Sequence, residues 1–343
     1  MLCVSYLLIF AFKKLLNYAG ILPYSSVDEK LAPLLQNQIS SKELRPEFQN
    51  EYYVVLSAVR DVSQLFMAPL TVLAWQNLGA HSLVFLIGTP AEFEKSRATQ
   101  YIADFLTDLG ARTFFISSKS IPDDVLAQVV RLFAAGTPRT FNFENETVLI
   151  TAHTNIIPME IDDHTLNPGE KLKIYDSECC GVLDGVRQYS LNTISMSVRE
   201  WRALMGIDKY EIPDGNTLYG YLKNEFGESL PKLLTSTNMA LDRQLISAKV
   251  EKWRQINSGS IKEVKKSPLT LDMESWLRET PAVDRLKVKI STYDELQLSS
   301  NLHIKENWMK AMPILNQTFG GNIVTLLNEY REEVDKLLSG KAD

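Results

Sequence analysis

The tripeptide Asp176-Ser177-Glu178 closes a short apolar run, Lys171 to Tyr175, that reads as a strand. Strand side chains repeat every two residues, so both acids are expected on one face, where they could meet a cation or a hydroxyl. A purely structural role is the competing reading. Upstream, Asp162-Asp163-His164 offers oxygen and imidazole ligands of the kind a divalent ion takes; a solvated loop is its plainer reading. His153-Thr154-Asn155 follows a second apolar run, Val148-Leu149-Ile150-Thr151, and sets an imidazole and an amide at its end. Arg131 carries the planar fork of donors that suits phosphate, with a salt bridge as the alternative.

Buried strands and amphipathic helices alternate around these residues. Tyr52 to Ala58 is a continuous apolar run of the kind found in a strand covered on both faces. Helical spacing follows over Pro69 to Leu78, closed by Gly79. A second strand, Leu83 to Gly88, precedes a helix over Glu92 to Leu109 and a third strand over Arg112 to Ser117. A helix over Asp123 to Ala135 leads to the fourth strand, Val148 to Thr151. Further strands are expected at Lys171 to Tyr175 and Gln188 to Met196, and helices near Val198 to Met205 and Thr217 to Phe226. Ser258 to Pro268 reads as a flexible insert, and Leu271 to Leu338 as mostly helical. The pattern predicts an α/β domain with a mostly parallel central sheet flanked by helices and a helical C-terminal region. In such sheets ligands bind beyond the carboxyl ends of the strands, which puts weight on Ala58 to Asp61, Gly88 and His153 to Asn155.

Familiar motifs are missing. No GxGxxG follows the first strand, and there is no phosphate-binding GxxxxGK[ST], no GxSxG, no HExxH and no kinase signature. Dehydrogenases, P-loop ATPases and lipase-like hydrolases are thereby set aside. What remains is a sheet that binds its ligand with side chains rather than a glycine-rich turn.

Length and charge agree with a folded enzyme or binding domain. The 343 residues suffice for a full core, and a net charge of −6 without a long basic run argues against a nucleic-acid partner. Lys262, Lys265 and Lys266 form only a short cluster in a polar stretch. Cys3, Cys179 and Cys180 cannot make a disulfide framework, and adjacent cysteines rarely bridge, so inert buried thiols are expected. Residues 1–24 form an apolar segment with Lys13 and Lys14 inside it, readable as an anchor or a truncated signal. Residues 25–50 read as a stem, and 51–343 as the main domain. An anchor would allow membrane association and place the domain in the Golgi or ER lumen, where Asn145-Glu146-Thr147 and Asn316-Gln317-Thr318 would be glycan acceptors; without one the chain is expected in the cytoplasm.

The first strand and trailing helix, Val54-Val55-Leu56-Ser57-Ala58-Val59-Arg60-Asp61 to Leu73-Ala74-Trp75-Gln76-Asn77-Leu78-Gly79, resemble the opening of a GT-A glycosyltransferase, the nucleotide-diphospho-sugar transferase fold. Leu126 to Ala135 resembles the helix before the metal motif in a poorly characterised branch of that superfamily. So do Ile174 to Gly181 and Ser195 to Arg202, with counterparts at Leu241 to Ser247 and Asn307-Trp308. The resemblance spans roughly residues 50 to 340 and lies in the order of the pieces. It implies that Ala58, Arg60, Asp61 and Arg131 help hold a nucleotide-sugar donor. It also implies an Asp-x-Asp motif after the fourth strand, gripping Mn²⁺ or Mg²⁺ against the diphosphate. Here His153 and Asn155 stand in those two places. A neutral imidazole can bind Mn²⁺ and an amide carbonyl binds it weakly, but two formal negative charges are lost.

Two functions are open on this basis. One is a hexosyl- or glycosyltransferase that moves a sugar to a glycan, protein or lipid acceptor without a conventional metal site. Asp242, Asp176 or Glu178 would then serve the acceptor side, Asp242 as the general base an inverting transferase needs, with a helix-capping or exposed role as its alternative. The other is a catalytically inactive binding or scaffold protein. Trp201, Trp253, Trp276 and Trp308 read as packing rather than sugar platforms, and His81 and His303 as structural.

Overall fold

A computed structural model describes residues 51–340, apart from 138–140, 142, 208–213, 236–240 and 266, and only the backbone of 282 and 283. All of them belong to one compact unit, Lys42–Asp343. The expected apolar segment 1–24 and stem 25–50 lie outside the described residues. Among the described residues no helix is long and apolar enough to cross a membrane.

The sheet is built by strands β1 (Tyr52–Val59), β2 (His81–Ile87), β3 (Arg112–Ile116), β4 (Val148–Thr151), β6 (Leu172–Ile174), β9 (Ile194–Ser197) and β10 (Ile261–Glu263), in the order β10-β6-β9-β4-β1-β2-β3. Only β9 runs against the rest, paired antiparallel with both β4 and β6. β1 and β4 are buried along nearly their whole length, as a strand covered on both faces must be. Helices α1 (Ala68–Asn77), α2 (Arg97–Asp108) and α3 (Asp123–Val130) connect the first strands. Ser96 caps α2 by accepting from the Thr99 N–H. The sheet and its helices match the α/β architecture expected from the alternating pattern.

Strand order reverses between β1 and β4: β2 and β3 extend the sheet on one side of β1, β4 and its neighbours on the other. In open α/β sheets the place where strand order reverses, beyond the carboxyl ends of the two strands, is where ligands bind. A three-stranded sheet flanks it, with β5 (Ile156–Pro158) antiparallel to β12 (Glu295–Gln297) and β11 (Thr270–Asp272) on the outer side. A small hairpin, β7 (Val182–Leu183) and β8 (Val186–Arg187), stands next to the end of β6.

Helices α4 (Val198–Met205), α5 (Gly215–Phe226) and α6 (Leu241–Asn257) cover the second half of the chain. Ser197 caps α4 at one end, and left-handed Gly206, with φ 64°, closes it at the other. α5 starts so close to the end of β3 that a Cβ on Gly215 would lie 2.2 Å from the Ser117 carbonyl oxygen, so only glycine fits. After α7 (Met273–Glu279) come the long helices α8 (Lys305–Phe319) and α9 (Gly321–Leu338). They are fixed to the first half by Tyr330, whose hydroxyl donates to the Phe66 carbonyl at 3.1 Å while its ring stacks on Phe66 and Phe105.

Several expected boundaries shift. The stretch Ser258 to Pro268 is no loose insert: residues 261–263 form β10, an edge strand parallel to β6. The helix over Asp123 to Ala135 tightens at Arg131 into a 3₁₀ turn, Arg131–Gly136. The strand expected over Gln188 to Met196 is confined to β9, and the mostly helical C-terminal part also carries β11 and β12. Trp201, Trp253, Trp276 and Trp308 are all largely buried, and Trp201 donates to the Leu149 carbonyl, which agrees with packing. His81 is exposed and His303 half-buried.

Candidate functional site

Because β1, β2, β4 and β6 are parallel, Gly88, Arg60, His153 and Asp176 all stand at one edge of the sheet. The residues singled out from sequence at strand ends are thus brought to one margin, though in different environments.

The tip of β4 is tightly built. The Ala152 carbonyl accepts from Arg131 Nη1 at 2.8 Å, and the Thr154 carbonyl from Thr71 Oγ1 at 2.6 Å. The His153 and Asn155 carbonyls accept from the N–H groups of Ile156 at 3.3 Å and Leu298 at 2.7 Å. Four successive carbonyls are therefore engaged, which leaves contact with a ligand to the side chains, His153 and Asn155 among them. Both are half-buried. Burial, with the charges of Arg131 and Arg243 behind it, pushes the His153 imidazole down to about 3, so it is neutral at ordinary pH.

Beneath the tip lies a buried ion pair. Arg131 is 2% exposed, and its Nη2 faces Asp242 Oδ2 at 3.7 Å across from the start of α6. Its Nε has no hydrogen-bond partner. Burial pulls the guanidinium downward, opposed by Asp242, but arginine stays charged. The same burial pushes the Asp242 carboxyl above its usual range, against the pull of Arg131. Arg131 was expected to face a phosphate or a surface partner; instead it is enclosed and acts through the backbone it holds. Asp242 was expected near a reacting hydroxyl or else capping a helix or exposed, but it is buried and packed against an arginine. Arg243, half-exposed on the next position of α6, was missed from sequence and makes no side-chain hydrogen bond or close ion pair among the described residues.

On the β1 side, Arg60 is committed to protein carboxylates. Nη1 lies 2.8 Å from Glu92 and Nη2 2.8 Å from Asp123. To reach them the side chain passes over Gly88, whose φ of +137° and missing Cβ leave that path open; a Cβ there would sit 3.0 Å from Arg60 Cδ. Asp61 is exposed and caps the helical turn Val62–Leu65, accepting from the Gln64 N–H and the Ser63 hydroxyl. The two residues implied to hold a nucleotide thus stand in an ion-pair cluster and at a helix cap. Ala58 is buried at 3%.

The end of β6 departs most from expectation. Residues 175–180 form a turn rather than strand, with Asp176 in the left-handed region at φ 48°. Asp176 and Glu178 therefore do not share a strand face. Glu178 is exposed, 3.8 Å from Lys265. Asp176 is half-buried and accepts from the Ser267 hydroxyl at 3.2 Å; burial raises its pKa. Cys179 and Cys180 in the same turn are disulfide-bonded, and Cys179 is exposed, so they are not the buried thiols expected. The adjacent pair can close because the chain is already in a tight turn there, a context that residue spacing does not reveal.

A second acid near Asp176 also escaped sequence reasoning. Glu295 on β12 is 6% exposed, accepts from Thr270 Oγ1 at 2.7 Å, and is raised by burial, with the charge of Asp176 adding to the effect. Only the pairing of β12 with β5 brings it to this edge, and no local spacing signals that.

Asp162-Asp163-His164 provides no metal site. The His164 ring is 3% exposed, bonded through Nδ1 to Thr193 Oγ1 at 2.7 Å and packed between Trp75 and Tyr175. Burial and Lys173 hold it down at about 3. Since a free histidine titrates near about 6.5, the unfolded chain takes up a proton there that the folded chain refuses. Stability from this ring is therefore full above that pH and lost as pH falls toward 3. Between pH 7 and 5 the share of this ring in the loss is expected to be about 2 kcal/mol, with a like share from His153. Urea denaturation at the two pH values checks this, and a His164→Gln chain should show a flatter profile.

Among the described residues, no group of three or more His, Cys, Asp or Glu side chains could hold a metal ion. The residues at the β4 tip fit a hard cation poorly. Two guanidinium groups stand against one carboxylate, which is itself drawn toward protonation.

No family model matches the sequence, and no curated protein matches it. Solved structures similar to the chain include the galactosyltransferase LgtC in complex with donor and acceptor sugar analogs. The identity is 13% and the TM-score 0.40, over 78% of this chain and 95% of that one. The apo-form glycosyltransferase GlyE of Streptococcus pneumoniae TIGR4 is similar at 11% identity and TM-score 0.38, over 83% of this chain and 64% of that one. The WbbM bifunctional glycosyltransferase is similar at 11% identity and TM-score 0.33, over 74% of this chain and 46% of that one.

Proposed function

We propose that this chain transfers a glycosyl group from a nucleotide-diphosphate sugar to an acceptor hydroxyl, in the crevice outside the carboxyl ends of β1 and β4. The observation that carries the reading is the build of the β4 tip. At the point where strand order reverses, a neutral imidazole and an amide are presented on a backbone clamped at four carbonyls, above a buried arginine. Clamping of that kind is what a site needs to hold a leaving group in one geometry.

His153 and Asn155 then act as neutral hydrogen-bonding groups toward the donor, and Asp176 is the acid best suited to the acceptor side. It is the only one of the three sequence candidates that is neither in open solvent nor bonded to a buried arginine. A carboxylate with a raised pKa is a stronger base than an ordinary one. The acceptor is a glycan, a protein or a lipid.

Incubating the full chain with a panel of UDP- and GDP-sugars and following release of the free nucleotide diphosphate tests the reading. Release with at least one donor, above the rate of spontaneous hydrolysis, is the expected result. The loss of both acids at the β4 tip also favours a non-catalytic binding protein. Saturable nucleotide binding with no release from any donor would establish that second reading instead.

A further inference from the structure

The geometry points to an anion site at the β4 tip that takes a diphosphate with arginine charge in place of a divalent cation. The inference rests on the reading of this crevice as a nucleotide-diphosphate site and says what neutralises the ligand there.

Three observations carry it. The first is chemical: positions 153 and 155 hold a neutral imidazole and an amide, so neither brings the negative charge a hard cation requires. Their backbone carbonyls each accept a hydrogen bond already. The second is the enclosed Arg131. It is 2% exposed, has an unpartnered Nε, and meets its one carboxylate at 3.7 Å, longer than a hydrogen bond. Its charge is thus only partly answered by protein and lies directly under the tip, joined to the Ala152 carbonyl. The third is Arg243, half-exposed and close enough to act electrostatically on both His153 and the Asp242 carboxylate, with no side-chain hydrogen bond or close ion pair among the described residues.

A division of labour follows. Arg131 is a positioning residue: it fixes the tip and supplies a fixed positive field in a poorly solvated place, where charge acts over a longer range. Arg243 is the group that reaches the ligand. Its guanidinium matches two phosphate oxygens at once, and arginine is weakly hydrated, so little is lost on binding. The imidazole of His153, neutral beside two cations, donates or accepts a hydrogen bond without adding charge. The same role in a cation-dependent site falls to the metal ion, which neutralises the diphosphate as it departs.

The test is calorimetric titration of the full chain with inorganic pyrophosphate and, separately, with UDP and GDP. Each titration is run in EDTA and in Mn²⁺. Binding of pyrophosphate and at least one nucleotide with the same affinity in both buffers, weakening as salt rises, is expected. Arg243→Gln should weaken it by about tenfold or more, the scale of one lost charge-assisted hydrogen bond pair. Its thermal midpoint should stay close to that of the parent, because the half-exposed side chain makes no hydrogen bond among the described residues. Binding that appears only with Mn²⁺ overturns the inference, as does absence of binding in both buffers or an Arg243→Gln affinity equal to that of the parent. The outcome is separable from that of the transfer reaction. Metal-free binding with no turnover of any donor sinks the transferase and leaves this site standing, whereas turnover that requires Mn²⁺ does the reverse.

Discussion

Replacing Asp242 by alanine is expected to destabilise the chain by roughly 3–5 kcal/mol, the range for stranding one member of a buried ion pair. The cost comes from what is left behind. Arg131 would remain 2% exposed with its Nε unpartnered and a single bond to the Ala152 carbonyl. A guanidinium cannot shed its proton to escape, because its pKa stays far above any working pH. The partner substitution is not symmetric. Arg131→Met leaves a carboxyl that burial already pushes upward, and that group can become neutral. The smaller loss is therefore expected there. Changing both, as Arg131→Met with Asp242→Leu, should recover most of the stability, since apolar pairs often replace buried ion pairs without penalty. Urea unfolding of the four chains gives the double-mutant cycle. A loss under about 1 kcal/mol for Asp242→Ala would mean that Arg131 finds another anion or solvent, contrary to its enclosure here.

The same pair shows how far a sequence of this kind can be read. The helix Leu126 to Ala135 and the segment Leu241 to Ser247 were each recognisable, and Arg131 and Asp242 each stood out by residue type. Nothing in their separation of over a hundred positions said that they meet. The parallel sheet was legible because its strands are buried on both faces and so appear as unbroken apolar runs, as β1, β2 and β4 do. Short strands such as β10, with Ile261 flanked by charged residues, carry no such mark and were taken for loop. The three-residue strands β5, β11 and β12 depend on long-range pairing rather than on their own pattern, which is why Glu295 stayed hidden. At the end of β6 the alternation of acids suggested a shared face. Left-handed backbone at Asp176 turned the chain instead, and one such residue is enough to cancel a period-two argument.

Asp176→Asn is expected to lower turnover by about 10²–10⁴-fold, the range for removing a positioned general base, while leaving the fold intact. The three acids proposed from sequence separate clearly on structure. Glu178 stands in solvent near Lys265, so Glu178→Gln should change turnover by less than about threefold, in keeping with the small weight of surface pairs. Asp242 is occupied with Arg131, and its loss acts on stability first. Asp176 alone is half-buried, with a single hydroxyl donor and a raised pKa, a state that favours taking a proton from a substrate hydroxyl. Because a base works only when ionised, the rate should fall as pH drops through that raised value, above the ordinary aspartate range of about 4. Glu295 sharpens the expectation. Already raised by burial, it is raised further by the charge of Asp176, so ionising both acids together is disfavoured. Asp176→Asn should therefore abolish the acidic limb of the rate profile along with the rate. An unchanged limb in the residual activity would assign the base to another group.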